Sequence, residues 1–600
     1  MTQPISQLLL RLWHHISIRR RSQFVLLLFL MIFASFAEIL SIGAVLPFLA
    51  VLTAPDRVFE HLSAKPFIQA MGIIEPKQLL LPLTIAFGLA ALTAGAMRLI
   101  LLWASIRLSF AAGADLSIDI YRRTLYQPYA VHVARNSVEV ISGITSKSGV
   151  AIAILNQVLT LIGSSVTLIA ILLALVYVDL VIALTAFGGF GLIYFLVIRM
   201  TRSQLLLNSH VSARESTLVM KSLQEGLGGI RDVLIDSSQD VYCEIYRNAD
   251  QPLRRAQGNN SFISSSPRYG MEALGILLIA ALAYTLANEA EGIAKVIPIL
   301  GALALGAQRL LPVLQQLYSA WAGILGGQQL LQDTLDLLDQ PLPNYANQLP
   351  PKPMPFRQEI CLKQLSFRYG QQTPWIVKDL DLTIAKGSRV GFIGVTGSGK
   401  STLLDIVMGL LQPTRGTVEI DGQSIALGNQ RAWQAHIAHV PQAIFLADST
   451  IEENIAFGVP KAKIDHKRVR HAAQKAQIAD IIEAWPKHYQ TFVGERGIRL
   501  SGGQRQRIGI ARALYKQADV IIFDEATSAL DNETEQAVMQ AIEGLSKELT
   551  VLIIAHRLTT LKHCTQIVHI DDGGIKRTGT FQDMVIEVAH MPSSSKGGSE

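Results

Sequence analysis

The chain has 600 residues, of which 50% are hydrophobic and only 17% are charged, and its mean hydropathy is +0.32. This composition is too apolar for an ordinary soluble protein of this length and predicts a membrane-embedded part. The net charge of +6 is small, and because no basic tract is interleaved with aromatic residues, the sequence indicates no nucleic-acid partner.

The first predicted element is the helix ISQLLLRLWHH, which places Leu8, Leu9, Leu12 and Trp13 on one face. Such a face fits either a helix on the membrane surface or a helix of the core.

Six apolar stretches follow, each comparable to the ~20 residues that cross a bilayer as a helix. Between Lys147 and Arg199 the only charge is Asp179, and this stretch is twice too long for one span, so we expect a turn at Asp179. The predicted spans are residues 24–52, 79–103, 149–178, 180–198, 271–287 and 293–312.

Basic residues are concentrated before the first span and in the loops between spans two and three and between spans four and five. By the positive-inside rule, we expect these loops and both termini to be cytoplasmic, in a multi-pass protein of the cytoplasmic (inner) membrane. Both loops are rich in helix formers and poor in proline, so they are expected to be long helical extensions. The predicted transmembrane domain covers residues 1–338.

The Pro-rich segment 339–356 predicts a linker. After it, β-rich runs alternate with helical ones, which is typical of an α/β domain, here residues 357–590. Residues 591–600, MPSSSKGGSE, are expected to be a disordered tail. The predicted fold class is therefore a multi-domain membrane protein, with a six-helix all-α transmembrane domain followed by an α/β P-loop NTPase domain.

The stretch Gly394–Ser401 matches G-x-x-x-x-G-K-[ST] between a predicted strand, RVGFI, and a predicted helix, TLLDIVMGLL. In such a loop, glycines let backbone N–H groups close around phosphate oxygens, the lysine reaches the β- and γ-phosphates, and the hydroxyl of Ser401 ligates Mg²⁺. The predicted ATP contacts are Gly394, Thr396, Gly397, Ser398, Gly399, Lys400, Ser401 and Thr402.

The segment ADVIIFDEATSALD runs from four apolar residues into Asp524 and Glu525. A buried strand would deliver both carboxylates to its carboxyl end, where α/β sheets bind ligands. We expect Asp524 to hold Mg²⁺ and Glu525 to act as general base for the attacking water. The alternative is a strand that merely ends in solvated acids. The phosphate-binding motif with Lys400 in the same chain argues against this alternative.

The most specific motif is LSGGQRQRIGIARAL, residues 500–514. Together with the phosphate-binding loop, the VIIFDE strand and IIAHR, it resembles an ATP-binding cassette (ABC) ATPase over residues 355–590. The resemblance implies that the signature contacts ATP held by a second cassette, through Ser501, Gly502, Gly503 and Gln504.

Further positions match the same family. Tyr369 resembles the aromatic residue that stacks on adenine, although a tyrosine on a half-buried strand is the simpler alternative. Gln442 resembles the glutamine that contacts Mg²⁺ and water and reports nucleotide state. Glu495 lies in a loop like that before the exporter signature. Asp531 closes the SALD segment that runs to the partner, and His556 is implied to bond the γ-phosphate.

One cassette per chain implies that the second cassette comes from another chain. We expect a homodimer with two equivalent ATP sites; a heterodimer with a related half-transporter is the alternative. The intact Glu525 and signature favour the homodimer.

The order of spans and cassette resembles an ABC exporter half. The stretches FAEILSIGAVLPFLAVLTAP, SSPRYGMEALG and ALGAQRLLPVLQQ are similar to those of lipid-linked oligosaccharide flippases and glycolipid exporters. This implies ATP-driven movement of a lipid-linked saccharide or glycolipid, with multidrug or general lipid export as the alternative and an ATP-gated channel or regulatory subunit as a third hypothesis.

Ionisable side chains within membrane spans are costly and are therefore candidate sites. Arg98, Arg268 and Arg309 are candidates for binding a phosphate or diphosphate head group. The alternative is that Arg98 pairs with Glu38 to hold two spans together, and that Arg268 lies at the membrane interface.

Overall fold

The computed structural model describes residues 3–53, 55–60, 69, 72–178, 180–287, 293–426, 428–525, 532–544, 546, 548–555 and 557–590. The chain divides into two compact units. One contains the described residues up to Gln127 and from Ala134 to Pro343, and the other contains Pro128–Val133 and the described residues from Asn344 onward. The predicted turn residue Asp179 and the predicted disordered tail, 591–600, lie outside the described residues.

The chain up to Leu338 forms helices. In chain order they are α1 Ile5–His15, α2 Ile18–Thr53, α3 Pro55–Glu60, α4 Leu80–Leu125, α5 Tyr129–Ala134, α6 Ser137–Ser142, α7 Ser148–Val178, α8 Leu180–Gly228, α9 Ile230–Ile235, α10 Gln239–Ser265, α11 Pro267–Ala287, α12 Ile293–Gly326 and α13 Gln328–Leu338. A 3-10 turn, Pro76–Leu79, precedes α4, and a π-helical turn, Gly143–Lys147, joins α6 to α7.

Several of these helices are longer than a bilayer requires. Helix α4 has 46 residues, which at 1.5 Å per residue is about 70 Å, whereas the hydrocarbon core of a bilayer is ~30 Å thick. Within the described residues, three stretches are long and apolar enough to cross a membrane: Ile18–Ser41, Pro76–Leu125 and Ser137–Leu173. The predicted spans at 180–198, 271–287 and 293–312 include side chains outside the described part, so the count of six spans stays a prediction.

The amphipathic helix α1 packs against other helices of the first unit. Its Leu8 and Leu12 side chains are buried in a core shared with α2, α4, α7 and α13. Its polar side is tied to α13 and the residue after it, because Arg11 donates to Asp336 at 2.9 Å and the His15 ring contacts Asp339 at 2.7 Å. The sequence alone did not decide whether the apolar face of α1 lies on the membrane surface or in the core. In the structure this face contributes Leu8 and Leu12 to the core.

The second unit is an α/β domain. Its strands are β1 Glu359–Phe367, β2 Val377–Ala385, β3 Arg389–Ile393, β4 Arg415–Ile420, β5 Gln423–Ser424, β6 Ile437–Val440, β7 Val520–Asp524, β8 Thr550–Ile554, β9 Gln566–Asp571 and β10 Gly574–Gly579. Its helices are α14 Lys400–Val407, α15 Gln430–Gln434, α16 Ile451–Ile455, α17 His466–Lys475, α18 Ala479–Glu483, α19 Gly502–Lys516, α20 Asn532–Glu543 and α21 Phe581–His590. Short 3-10 turns lie at Asn344–Asn347, Lys461–Lys463, His488–Gln490, Glu495–Gly497 and Leu558–Leu561.

The strands form two sheets. An antiparallel sheet has the order β2-β1-β4-β5, and a six-stranded sheet has the order β10-β9-β3-β8-β7-β6. In the second sheet every pairing from β9 to β6 is parallel. Strands β3 and β7 are therefore separated only by β8, and their carboxyl ends meet at one edge of the sheet.

The central strands are buried on both faces. Along β7, Ile521 and Phe523 enter one core cluster, while Val520 and Ile522 enter another on the opposite face. This explains why the segment reads as a continuous apolar run, as expected for a parallel strand covered on both sides. The predicted strands RVGFI and VIIFD are confirmed as β3 and β7. The helix expected over TLLDIVMGLL ends earlier, at Val407, because the chain turns through Gly409 with φ of +66°.

Candidate nucleotide-binding and catalytic site

The loop between β3 and α14 has a backbone that only glycine tolerates at two positions. Gly394 and Gly399 have φ of +153° and +96°. A Cβ atom on Gly394 would lie 2.2 Å from the Ile570 carbonyl oxygen, and one on Gly399 would lie 2.6 Å from that of Ile376. The loop is therefore packed closely against neighbouring backbone, and it leads directly into the N-terminus of α14, whose free N–H groups favour an anion.

Lys400 lies at the start of α14 and is buried, with 5% of its surface exposed. Its Nζ donates to the carbonyl oxygens of Gly394 at 2.8 Å and Val395 at 2.9 Å, and to the Ser398 hydroxyl at 3.4 Å. Burial lowers the pKa of this ammonium group. A buried cation of this kind interacts strongly with phosphate oxygens, since little water competes for it.

Ser401 and Asp524 are brought together from residues 123 positions apart in the chain. The Ser401 hydroxyl donates to the Asp524 carboxylate at 3.4 Å. Burial, and then the nearby Glu525, raise the pKa of Asp524. These oxygens suit Mg²⁺, which is usually held by one or two protein oxygens together with water and substrate phosphates. Among the described residues, no cluster of three or more His, Cys, Asp or Glu offers a cage for a metal ion.

Glu525 follows β7 directly and adopts a left-handed backbone conformation with φ of 50°. Its N–H donates to the Ile554 carbonyl at 3.1 Å, and its carboxylate accepts a hydrogen bond from the Gln442 amide at 2.8 Å. Non-glycine residues at positive φ are strained, and this strain is typical of functional sites. The conformation turns the Glu525 carboxylate towards Gln442.

Tyr369 lies just after β1 and is 52% exposed. Its ring packs edge-on against Phe367, with ring centroids 5.0 Å apart. Its hydroxyl lies 3.3 Å from that of Thr402 in the first turn of α14. The exposed aromatic ring is thus anchored beside the phosphate-binding loop, where the resemblance predicts an adenine.

The signature residues form the N-terminus of α19. The Ser501 hydroxyl accepts from the Gln504 N–H at 3.2 Å, and the Gln504 side chain accepts from the Ser501 N–H at 2.9 Å. This capping box leaves Ser501 and Gly502 exposed. No hydrogen bond among the described residues joins Ser501–Gln504 to Gly394–Thr402. The signature and the phosphate-binding loop of one chain are therefore not directly connected.

Of the remaining predicted site residues, some lie outside the described part of the structure and the others lie in or near the motifs described above. Asp531 and His556 lie outside the described residues, as does the Arg309 side chain in α12. Thr396 and Gly397 belong to the loop itself, in which Gly397 has φ of +87°. Glu495 begins the 3-10 turn just before the signature.

Two of the three predicted substrate arginines have acidic partners. Arg98 on α4 donates to Glu38 on α2, with Nε at 2.7 Å from Oε2, and Glu38 is almost completely buried. Arg268 pairs with Glu272 one turn along α11 at 2.7 Å, and both side chains are exposed. The ion pair that the sequence offered as the alternative for Arg98 is present, and Glu272 was not foreseen.

Asp405 is a site neighbour that the sequence analysis missed. It lies one helical turn after Ser401 on α14, and burial, followed by the Asp524 carboxylate, raises its pKa to about 6. The signal that could have revealed it is a single acid within the apolar run TLLDIVMGLL.

The chain is similar to several known proteins. Residues 377–528 match the ABC transporter family. An ATP-dependent lipid A-core flippase of Cupriavidus metallidurans is 29% identical over 479 residues, covering 78% of this chain and 79% of the relative. A putative multidrug export ATP-binding/permease protein of Staphylococcus aureus is 40% identical over 235 residues, 39% of this chain and 40% of the relative.

Among solved structures, a bacterial Atm1-family ABC exporter with ATP bound superimposes with a TM-score of 0.75 at 24% identity. The match covers 95% of this chain and 97% of that one. The predicted fold class, a helical domain with apolar helices followed by a nucleotide-binding α/β domain, is confirmed.

Proposed function

Because the chain is an ABC exporter half-transporter whose second domain is an ATP-hydrolysing cassette, we propose that it uses ATP to flip or export a lipid-linked saccharide or glycolipid across the cytoplasmic membrane. The observation that carries this proposal is the extent of the similarity. Three lipid A-core flippases align over 479 to 482 residues, more than the cassette alone supplies. Two further lipid A-core flippases and the multidrug-export relative align over 229 to 235 residues, close to the cassette's length.

The candidate site supports ATP hydrolysis by the following roles. Lys400 would bind the β- and γ-phosphates, and Ser401 and Asp524 would hold Mg²⁺, which neutralises phosphate charge when bound. Glu525 would accept a proton from the attacking water, and Gln442 would orient that carboxylate. Tyr369 would stack on adenine, with Asp531 and His556 completing the site. The assignments of Asp531 and His556 rest on the family resemblance alone, and the others rest on the distances given above as well.

We further propose a homodimer with two composite ATP sites. The N-terminus of α19, where Ser501 and Gly502 are exposed and Gly503 is buried, would contact ATP bound by the loop of the second copy. Two observations support this: the signature makes no hydrogen bond to its own loop among the described residues, and Gly502 has open space around it. ATP would then stabilise the closed dimer, and its differential affinity for that state would drive the membrane helices between two openings.

The substrate side of the proposal involves Arg98, Arg268 and Arg309. Arg98 is half exposed despite its ion pair, so one side of its guanidinium group is available to an anionic head group.

We also propose that the termini and the cassette are cytoplasmic, on the basis of the distribution of basic residues.

Reconstitution into liposomes tests the function directly. We expect ATP-dependent movement of a fluorescent lipid-linked saccharide between leaflets, which a Glu525→Gln variant does not perform. The rival function, multidrug export, has one observation in its favour, the 40% identical relative. It predicts that unrelated apolar drugs stimulate ATP hydrolysis while the labelled saccharide lipid stays in its leaflet, and this result would overturn our proposal.

A further inference from the structure

An apolar groove lies between α1, α2 and α7, and its lining includes neither residues of the nucleotide site nor the arginines considered above. Its volume is about 260 Å³, and all of its lining side chains are apolar. This exceeds the ~150 Å³ cavity that is sufficient for a benzene ring. The lining includes Leu9, Trp13, Val25, Leu28, Val158 and Ile162.

The groove opens on the outside of the helices. Trp13, Val25 and Leu28 along it are between 38% and 49% exposed, whereas Leu12 and Leu159 at its base are buried. Two of its walls belong to stretches that can cross a membrane, Ile18–Ser41 and Ser137–Leu173. An open apolar groove at that position faces hydrocarbon, and its walls lose dispersion contacts unless a chain fills it.

One end of the groove is basic. Arg19, Arg20 and Arg21 lie within two turns of Phe24, which lines the groove. Arg21 is held at this end, because its guanidinium group lies 5.7 Å from the Trp13 ring centroid. The same group donates hydrogen bonds to the carbonyl oxygens of His14 at 2.8 Å and Ile16 at 3.0 Å, and these bonds cap the C-terminus of α1.

Arg20 pairs with Asp115 at 2.8 Å, and Arg19 lies on the face of α2 opposite to Arg21. Arg21 donates to carbonyl oxygens and has no acidic partner among the described residues. Helices α1 and α7 contain no acidic residue, and the only one in α2 is Glu38, far along the helix. The basic end of the groove therefore has an excess of positive charge next to an apolar channel, which is complementary to an anionic amphiphile.

We propose that this groove binds an acyl chain of an anionic phospholipid of the surrounding bilayer, with the lipid phosphate beside Arg21. The lipid would be a bound component that fills the space between α1 and the spanning helices, and not the transported cargo. Since α1 is tied to α13 through Arg11 and Asp336, an occupied groove would also hold α1 in place beside the helix that precedes the linker.

Photolabelling of the full-length protein in liposomes tests this site. The probes are phosphatidylglycerol and phosphatidylcholine that carry a photoreactive diazirine in one acyl chain, and the labelled positions are mapped by mass spectrometry. We expect label on residues 5–31 and 155–162, about fivefold more from phosphatidylglycerol, the factor that one arginine near an anionic surface supplies. Equal labelling by the two lipids would overturn the proposal.

Three variants sharpen the test. Val158→Trp fills the groove and should remove most of this label, whereas Leu26→Trp, on a 70% exposed position of α2 outside the groove, should not. Leu28→Trp, at the groove mouth, replaces Val158→Trp if the latter does not fold, as judged by ATP hydrolysis. Arg21→Gln should reduce labelling by phosphatidylglycerol to the level of phosphatidylcholine, whereas Arg19→Gln, on the opposite face of α2, should leave the ratio of the two lipids unchanged. Label that persists after filling, or that excess lipid-linked saccharide displaces, contradicts the proposal.

Discussion

The Gln442 side-chain amide donates a hydrogen bond to the Glu525 carboxylate at 2.8 Å. The two residues follow β6 and β7, which are neighbours in the parallel sheet, with Val440 paired to Phe523. The bond therefore links a candidate base to the residue that resembles the family's nucleotide sensor. It also orients one carboxylate oxygen of Glu525 before any reaction takes place.

Replacing Glu525 by glutamine should abolish hydrolysis while keeping nucleotide binding. Loss of a general base lowers rates by ~10²–10⁴-fold, and the amide keeps the size of the side chain. ATP turnover and binding of a fluorescent ATP analogue are the measurements. Glu483→Gln, an exposed position at the end of α18, serves as the matched control and should leave both unchanged. Near-normal turnover by the Glu525 variant would remove this residue from the catalytic role.

Co-expression of two inactive variants should restore one ATP site. Lys400→Ala removes the phosphate contact, and Gly502→Trp adds a bulky side chain where the chain itself leaves open space. In a mixed dimer, the intact loop of the Gly502→Trp chain meets the intact signature of the Lys400→Ala chain. Vanadate trapping of nucleotide should therefore be absent in each variant alone and appear in the mixture. If trapping never appears, the sites are not shared between copies.

Removing the charge of Asp405 should stabilise the nucleotide-free protein, in a way that depends on pH. Its pKa is raised from 3.8 to about 6 by burial and then by Asp524. Between these values the folded chain binds more protons than the unfolded chain, so the free energy of unfolding falls as pH rises. Asp405→Asn should melt at a higher temperature than wild type above pH 6, and the difference should vanish near pH 4.

The melting temperatures of the full-length protein in detergent check this prediction. Asp448→Asn changes an exposed carboxylate of the same domain and should show no such pH-dependent difference. A constant difference between wild type and Asp405→Asn at every pH would show that packing, and not ionisation, is responsible.

A double-variant cycle on Glu38 and Arg98 should separate pairing from substrate binding. Arg98→Gln alone removes the guanidinium group beside the buried Glu38 carboxylate. Such a change costs ~3–5 kcal/mol in fully buried pairs and should cost less here, because the Arg98 side chain is 52% exposed. Adding Glu38→Gln removes that charge, so the melting temperature should recover. If Arg98 also binds an anionic head group, transport of the labelled lipid-linked saccharide stays low in the stable double variant.

The opposite result of this cycle is equally clear. Transport that recovers together with stability would assign Arg98 to holding α2 and α4 together. The substrate contacts would then have to come from other residues of the membrane domain.

The phosphate-binding loop, the VIIFD strand and the signature helix could be predicted from the sequence because each depends on neighbours in the chain. Gly399, Lys400 and Ser401 act through one local turn, and the apolar run before Asp524 reflects burial of a single strand on both faces. The capping box of Ser501 and Gln504 likewise depends on only four consecutive residues. Local backbone geometry and hydrophobic periodicity are properties of short segments, so a sequence displays them directly.

Only the tertiary structure decided the relationships between distant segments. The sequence left open whether Arg98 pairs with Glu38, 60 residues away, and it contained no sign that Arg11 reaches Asp336 or that α1, α2 and α7 leave a groove. Such contacts depend on which helices pack together and in which register, a choice made by the burial of all their side chains at once. No short segment carries that information. The sequence by itself therefore determined the chemistry of the motifs, and the structure determined which distant residues contact each other.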